Sequence, residues 1–485
     1  MTRRRGLNFI GGRWVPAQSG ETFTRRNPAD DDDVIGDFPL SSAADVHAAV
    51  RAVGEGASEW SSTSAENRAR VLEKAADLLE ERAAELTEEL VREEGKTLPE
   101  ASVEVRRTPM NLRFYAAEGL RISGRSYPAE GGGLVYTWPE PVGVVGAVTP
   151  WNFPINIPSR KLGPALAAGN GVVFKPSPVT PLLAQRLVEA LVAAGVPPRA
   201  LALVQGGGDA GAAVAADPRV AAVTFTGSTP AGQAVHAAVG PSRRVQLEMG
   251  GKNPVVVLPD ADLEQAARII VKGAFGLSGQ ACTGTSRVIA VNAVYEPLLE
   301  RVTVLTEALT VGNGLGQGVD MGPLAADFQM RKFLDYVHIG REEGARLVTG
   351  GERLGDPELK SGLFVRPTIF AGLTPGMRLG REEVFGPLLG FQRAADFDEA
   401  LDMANSTDYG LSSAIVTRDL GRALAFARRS QSGLVKINQP TTGMAVNVPF
   451  GGLKESSTQT FKEQAGDSMM LFYTQEKSVY VSPPD

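Results

Sequence analysis

Between residues 142 and 248 short apolar runs alternate with helix-like runs, and no other feature of the chain narrows its fold as much. Strands are expected at 142–148, 172–175, 201–204, 220–226 and 244–248. Between them, helices are expected at 157–168, 181–194, 209–216 and 229–239, with Gly169 and Gly195 ending the first two. Such alternation implies right-handed crossovers and a parallel, doubly wound sheet. Ligands of such sheets sit beyond the carboxyl ends of the strands. Those ends carry Trp151-Asn152, Lys175, Gly227-Ser228 and Glu248.

A second alternation starts after Gly250-Gly251, where a domain boundary is expected. It has a strand at 255–258, a helix at 263–277, a loop around Cys282 and a strand at 287–291. It continues through 364–367, 382–387, 411–417 and 434–438. At 485 residues the chain exceeds one ordinary core, so two or more domains are anticipated. Upstream, 7–15 reads as a hairpin around Gly11-Gly12, and Asp30 to Asp33 as a solvated acidic loop. A long helix is expected over 63–94, with Thr63 and Glu66 as a capping box and Gly95 at its stop. A second helix is expected over 99–119, and a strand at 134–138. The β-prone tail 471–481 suits an edge strand that pairs with another subunit.

Composition excludes several classes. A net charge of −6 argues against nucleic acid as a partner. One cysteine rules out a disulfide framework, and three scattered histidines make a metal site improbable. No run of about 18 apolar residues is long enough to span a membrane. The basic Met1 to Arg5 is followed by no apolar stretch of a signal peptide, so the expected compartment is the cytoplasm.

Cys282, the lone cysteine, stands in Gly279-Gln280-Ala281-Cys282-Thr283-Gly284. A lone cysteine is more often a small buried hydrophobe than a nucleophile. Here flanking glycines admit close backbone approach, and the neighbours are small and polar. A nucleophilic thiol needs a donor for the oxyanion it creates, which the Asn152 amide in Pro150-Trp151-Asn152-Phe153-Pro154 can supply; the plainer reading of that stretch is a rigid turn. Glu248, before Met249-Gly250-Gly251, is a solvated carboxylate on the plain reading and a base for water on the functional one. Phe225-Thr226-Gly227-Ser228-Thr229 runs strand, glycine turn, helix start. It departs from G-x-G-x-x-G, yet its helix N-terminus can hold pyrophosphate, and Lys175 adds a nearby charge.

Seven motifs together (PWNFP, FKPS, FTGST, LEMGGKNP, GQACTG, EEVFGP and PFGGLK) resemble the aldehyde dehydrogenase superfamily in order and spacing over nearly the whole chain. The resemblance implies an α/β fold. Its parts are a Rossmann-type cofactor domain (1–119 and 142–250), an α/β catalytic domain (251–462) and a small β bridging region (120–141 and 463–485) that builds homodimers or homotetramers. It implies Cys282 as nucleophile, Asn152 with the Cys282 N–H as oxyanion hole, and Glu248 as general base. Thr149, Pro150, Trp151, Lys175, Ser177, Gly227, Ser228, Glu383 and Phe385 then hold NAD or NADP. With Glu248 present, the acylating, coenzyme-A-using relatives are disfavoured. NAD-preferring relatives often carry a Glu where this chain has Pro178, so NADP is the expected preference. Arg160 falls where many relatives have a tunnel-lining Trp, and Arg107 aligns with another tunnel position. A single Arg is ordinarily a solvated surface residue; two at one entrance suit a carboxylate-bearing aldehyde. Gly276 leaves room beside the thiol. The stretches 436–443 and 448–452, with Thr441, Thr442 and Phe450 as further substrate contacts, look most like α-ketoglutarate semialdehyde (2,5-dioxopentanoate) dehydrogenases. Succinate semialdehyde and aromatic aldehydes are the competing substrates, and a catalytically idle binding protein is the remote alternative.

Overall fold

The computed structural model describes residues 4–129, 133–458, 461 and 466–482. Both alternations become seven-stranded sheets. The first runs in the order Arg244–Glu248, Ala222–Thr226, Val144–Val148, Gly171–Lys175, Leu201–Leu203, Asn8–Ile10, Arg13–Val15. Its first five strands are parallel, and the expected hairpin closes the far edge antiparallel. Successive residues of each strand feed opposite cores. Val145, Ala147, Val172 and Phe174 enter one cluster, while Val144, Val148 and Val173 enter the other. That two-sided burial is why the strands read as unbroken apolar runs. The order reverses between Val144–Val148 and Ala222–Thr226, which opens a crevice beyond Val148 and Thr226.

The second sheet runs Arg346–Thr349, Thr368–Ala371, Leu388–Ala394, Thr285–Val291, Asn253–Val257, Ser412–Val416, Leu434–Ile437, parallel except at its first pair. Glu248 ends the last-formed strand of the first sheet, and Asn253 opens the first of the second.

Four expectations need correction. The single helix over 63–94 is two, Ala65–Glu81 and Ala83–Glu94, broken at Arg82, whose guanidinium turns to Glu85. The Thr63–Glu66 box does not form. Thr63 terminates a preceding helix, Ala43–Ser62, and Ser64 caps the next by accepting from Asn67 N. The acidic run is no loop but the start of strand Asp30–Pro39. Asp31 and Asp32 do face solvent, while Asp33 pairs with Arg92 at 2.5 Å. In the tail, Leu471 to Tyr473 finish a helix, Gly466–Tyr473, that buries Phe472 and Tyr473 in the first core. Only Thr474–Val481 is strand, and it pairs with Leu134–Pro141 of the same chain. It lies at the edge of a three-stranded sheet completed by Ser126–Tyr127.

Candidate active site

A cavity of about 650 Å³ lies where the carboxyl ends of the first sheet face the amino ends of the second. From the first sheet come Thr149, Pro150, Trp151 and Asn152 after one strand, Lys175 and Ser177 after the next, and Gly227 and Ser228 after a third. From the second come Cys282, ahead of Thr285–Val291, and Glu383 and Phe385, ahead of Leu388–Ala394.

The thiol loop is held from four directions. The helix Leu263–Phe275 ends in a tight turn in which Leu277 and Ser278 take φ of +55° and +54°, a region costly for residues with a Cβ. Glu100 fixes that turn by accepting from Leu277 N at 2.7 Å, and Ser278 Oγ donates to Gly322 O at 2.9 Å. Gly279 must lack a side chain, since a Cβ there would lie 2.2 Å from Gly386 O. Gln280 O accepts from Asn152 Nδ2 at 2.9 Å. Beyond it, Asn253 Nδ2 donates to Cys282 O at 2.8 Å and Gly284 O at 2.9 Å, while its Oδ1 accepts from Ser412 N at 3.0 Å.

Asn152 is itself buried and anchored. Its carbonyl accepts from Lys96 Nζ at 2.7 Å, and the same ammonium pairs with Glu104 at 2.6 Å. Burial lowers the Lys96 pKa, but Glu104 and Glu94 outweigh it and hold the group above the ordinary lysine value. The second oxygen of Glu104 accepts from Ile155 N and Asn156 N, capping the helix Asn156–Ala167.

The cofactor half also fits its expected ligand. Ser228 N-caps the helix Thr229–Val239, whose N-terminus opens into the cavity beside Gly227. Thr149 Oγ1 is buried without a hydrogen-bond partner, a hydroxyl left for a ligand. Burial brings Lys175 down to about 8. Glu383 accepts from Gly251 N at 3.0 Å and packs so close that a Cβ on Gly250 would meet its carboxylate at 2.3 Å. Burial raises the Glu383 pKa, opposed by the Gly251 N–H, Lys332 and Lys252. Phe385, at φ +60°, stands edge-on to Trp151 with ring centres 5.4 Å apart. Its backbone is fixed by Gln329 Nε2, which donates to Val384 O and Phe385 O.

Other expected residues sit differently. Glu248 is buried, and its carboxylate accepts from Ser457 Oγ rather than lining the cavity. Thr441 is buried in packing; its hydroxyl meets Thr285 Oγ1 at 2.8 Å and its carbonyl accepts from Ser412 Oγ at 2.7 Å, so its side chain is structural. Thr442 is half-buried. Phe450 is buried with Leu411 and Leu434, and Cys282 and Met444 pack against that cluster. Arg160, only 4 % exposed, lies 5.4 Å from the Phe450 ring centre and donates to Met444 Sδ at 2.8 Å. Arg107 is exposed and donates to Met444 O at 3.3 Å. Sequence reasoning missed Asn253, Glu100, Gln329, Ser457 and Met444; of these only Asn253 lies in a quoted motif.

Among the described residues no helix is long and apolar enough to cross a membrane, and no group of three His, Cys, Asp or Glu is placed to hold a metal ion.

The profile of the aldehyde dehydrogenase family matches residues 14–479. Alpha-ketoglutaric semialdehyde dehydrogenase of Bacillus subtilis is 42% identical over 480 residues, covering 98% of each chain. The 2,5-dioxopentanoate dehydrogenase of Saccharolobus solfataricus is 42% identical over 476 residues, covering 97% of this chain and 98% of its own. The NAD-dependent aldehyde dehydrogenase of Sinorhizobium meliloti superposes with a TM-score of 0.95 at 35% identity, over 100% of this chain and 96% of its own. A 3,6-anhydro-L-galactose dehydrogenase in complex with NAP superposes at 0.95 and 32% identity, over 99% and 100%.

Proposed function

This chain belongs to the aldehyde dehydrogenase family, and from that premise we propose that the aldehyde it oxidises is α-ketoglutarate semialdehyde. It is an NAD(P)-dependent enzyme. The observation that carries the substrate is the meeting of two guanidinium groups, Arg107 and Arg160, on one residue, Met444, that packs against the same cluster as Cys282. An aldehyde bound at the thiol with a distant carboxylate suits that arrangement. The names of the 42%-identical relatives agree with it.

In the proposed reaction the Cys282 thiolate adds to the carbonyl carbon. Asn152 has two amide hydrogens; Gln280 O takes one, and the other donates to the new oxyanion with the Cys282 N–H. Each such donor is worth about 3–4 kcal/mol in the transition state. The nicotinamide cofactor, when bound, supplies the hydride acceptor. Gly227, Ser228 and the helix N-terminus would hold its phosphates, Lys175 and Ser177 the adenosine ribose, and Glu383 and Phe385 the other ribose, with Thr149, Pro150 and Trp151 beside it. Loss of hydride leaves a thioester on Cys282. Glu248 then turns from Ser457 toward the thiol and takes a proton from water. That water adds to the thioester carbon, the C–S bond breaks, and acid and thiolate are released.

NADP is the preferred cofactor on this reading, because Pro178 beside Lys175 offers no carboxylate to repel a 2′-phosphate. The two sheets and the helices around them form the cofactor and catalytic domains, meeting at Gly250-Gly251, and the small sheet joins copies into a dimer or tetramer. A nucleophilic thiol in a chain with no second cysteine suits the reducing cytoplasm.

Following reduced-cofactor absorbance tests the whole reading. α-Ketoglutarate semialdehyde, succinate semialdehyde and benzaldehyde are each paired with NAD and NADP. The expected result is the highest kcat/KM on the keto-acid aldehyde, with NADP ahead. A neutral aldehyde in front, or an unchanged preference for acidic aldehydes in Arg160→Ala, sinks the substrate assignment. No turnover with any pair points to an idle binding protein.

A further inference from the structure

We infer that Met444 is a specificity-determining placeholder, holding the carboxylate subsite on Arg160 until an acidic aldehyde displaces it. The inference rests on the reading of Arg160 given above and adds the residue that gates it. Three observations carry it. The Met444 sulfur is itself the acceptor for Arg160 Nη1, at 2.8 Å. A thioether is a weak, uncharged acceptor, while a carboxylate pairs with a guanidinium through two parallel N–H···O bonds and opposite charge, so the exchange favours the acid. Second, the cavity that Cys282 shares with Lys175, Ser228 and Glu383 does not have Arg160, Met444 or Phe450 in its lining. Met444 and Cys282 pack on the same cluster of Leu411, Leu434 and Phe450, and the Arg160 guanidinium lies 5.4 Å from the Phe450 ring centre, so the Arg160–Met444 contact sits on the cluster that the thiol also packs against. Third, Met444 is held by backbone contacts that survive a swing of its side chain. Its carbonyl accepts from Arg107, and the Gly443 carbonyl accepts from Lys436 Nζ at 2.9 Å. An unbranched side chain on a fixed backbone can withdraw by rotating about its own bonds.

A closed subsite raises the apparent dissociation constant by the inverse of the open fraction, and only for substrates that must enter it. A short neutral aldehyde that reaches the thiol but not Arg160 escapes that penalty. Steady-state kinetics of the wild type, Met444→Ala, Met444→Leu and Arg160→Gln are compared with α-ketoglutarate semialdehyde and with propanal. In Met444→Ala the KM for the semialdehyde falls about three- to tenfold, with kcat and both propanal constants within twofold. Met444→Leu, which keeps the bulk and loses the sulfur acceptor, falls between. An unchanged or raised semialdehyde KM in both Met444 variants overturns the placeholder, even if Arg160→Gln loses the acid preference. Equal gains for propanal also overturn it, because the residue is then a steric plug with no exchange at Arg160. Arg160→Gln with its acid preference intact removes the carboxylate reading itself, whatever the Met444 variants do.

Discussion

Asn253→Asp replaces one atom and tests whether the thiol loop depends on a single amide. The wild-type orientation is fixed by its partners: Ser412 N donates to Oδ1, so the NH2 group faces Cys282 O and Gly284 O at 2.8 and 2.9 Å. Aspartate keeps the acceptor for Ser412 and sets a second oxygen against two carbonyls. Each buried carbonyl deprived of its donor costs about 1–3 kcal/mol, so the pair loses about 2–6 kcal/mol before repulsion is counted. The turn upstream already holds two residues at positive φ, so the cheapest relief is for the loop to shift and carry the thiol with it. Displacement worth about 2.7 kcal/mol is a hundredfold in rate. Stopped-flow and steady-state assays at pH 7.5 are therefore expected to show kcat about 100-fold down in Asn253→Asp, with the unfolding midpoint lowered only slightly. Asn253→Ala, which leaves space for water at the carbonyls, falls less. The new carboxyl is stabilised only when protonated, so its folded pKa rises above about 3.9. The lost activity is present below that raised pKa and disappears as pH climbs through it, so the Asp variant recovers toward pH 5. An Asp variant above a third of wild-type kcat, or an Ala variant worse than Asp, refutes the reasoning.

Asn152→Ala removes an oxyanion donor and should lower kcat by 10²–10³ with KM within a few-fold, read in the same assay. Lys175, brought to about 8 by burial, loses its charge as pH rises from 7 to 9. The ratio of kcat/KM with NADP to that with NAD should therefore fall severalfold over this range, and a flat ratio would remove Lys175 from recognition of the 2′-phosphate. Lys96→Met strips Glu94 and Glu104 of their buried cation and should cost about 3–5 kcal/mol, seen as a lowered urea midpoint.

Three strand ends of the first sheet were legible because the apolar run stops where the chain enters the cavity, Val148 before Thr149, Phe174 before Lys175 and Phe225 before Thr226-Gly227, while Glu248 at the end of another strand turns to Ser457 instead. For the second sheet the rule of carboxyl ends misleads, since Cys282, Glu383 and Asn253 stand at amino ends. The supports were not legible at all. Glu100 meets Leu277 across 177 residues, Ser457 meets Glu248 across 209 and Arg160 meets Met444 across 284, and no local pattern records a partner that distant. Thr441 shows the limit of motif order. It fixes position along the chain, while the direction a side chain faces is decided by packing, here against Thr285.

The pairing of Thr474–Val481 with Leu134–Pro141 also sets a clock on biosynthesis. Lys477 meets Glu140 across 337 residues, so the inner strand waits on the ribosome for most of the chain's synthesis before its partner exists. At about 5–20 residues per second that wait is on the order of tens of seconds. During it the strand has only Ser126–Tyr127 beside it, and Leu134 and Trp138, half-exposed even in the finished sheet, stay uncovered on the other edge. The delay has a use. A surface that needs Thr474–Val481 is complete only after that strand has been made, so any assembly through this sheet follows its synthesis.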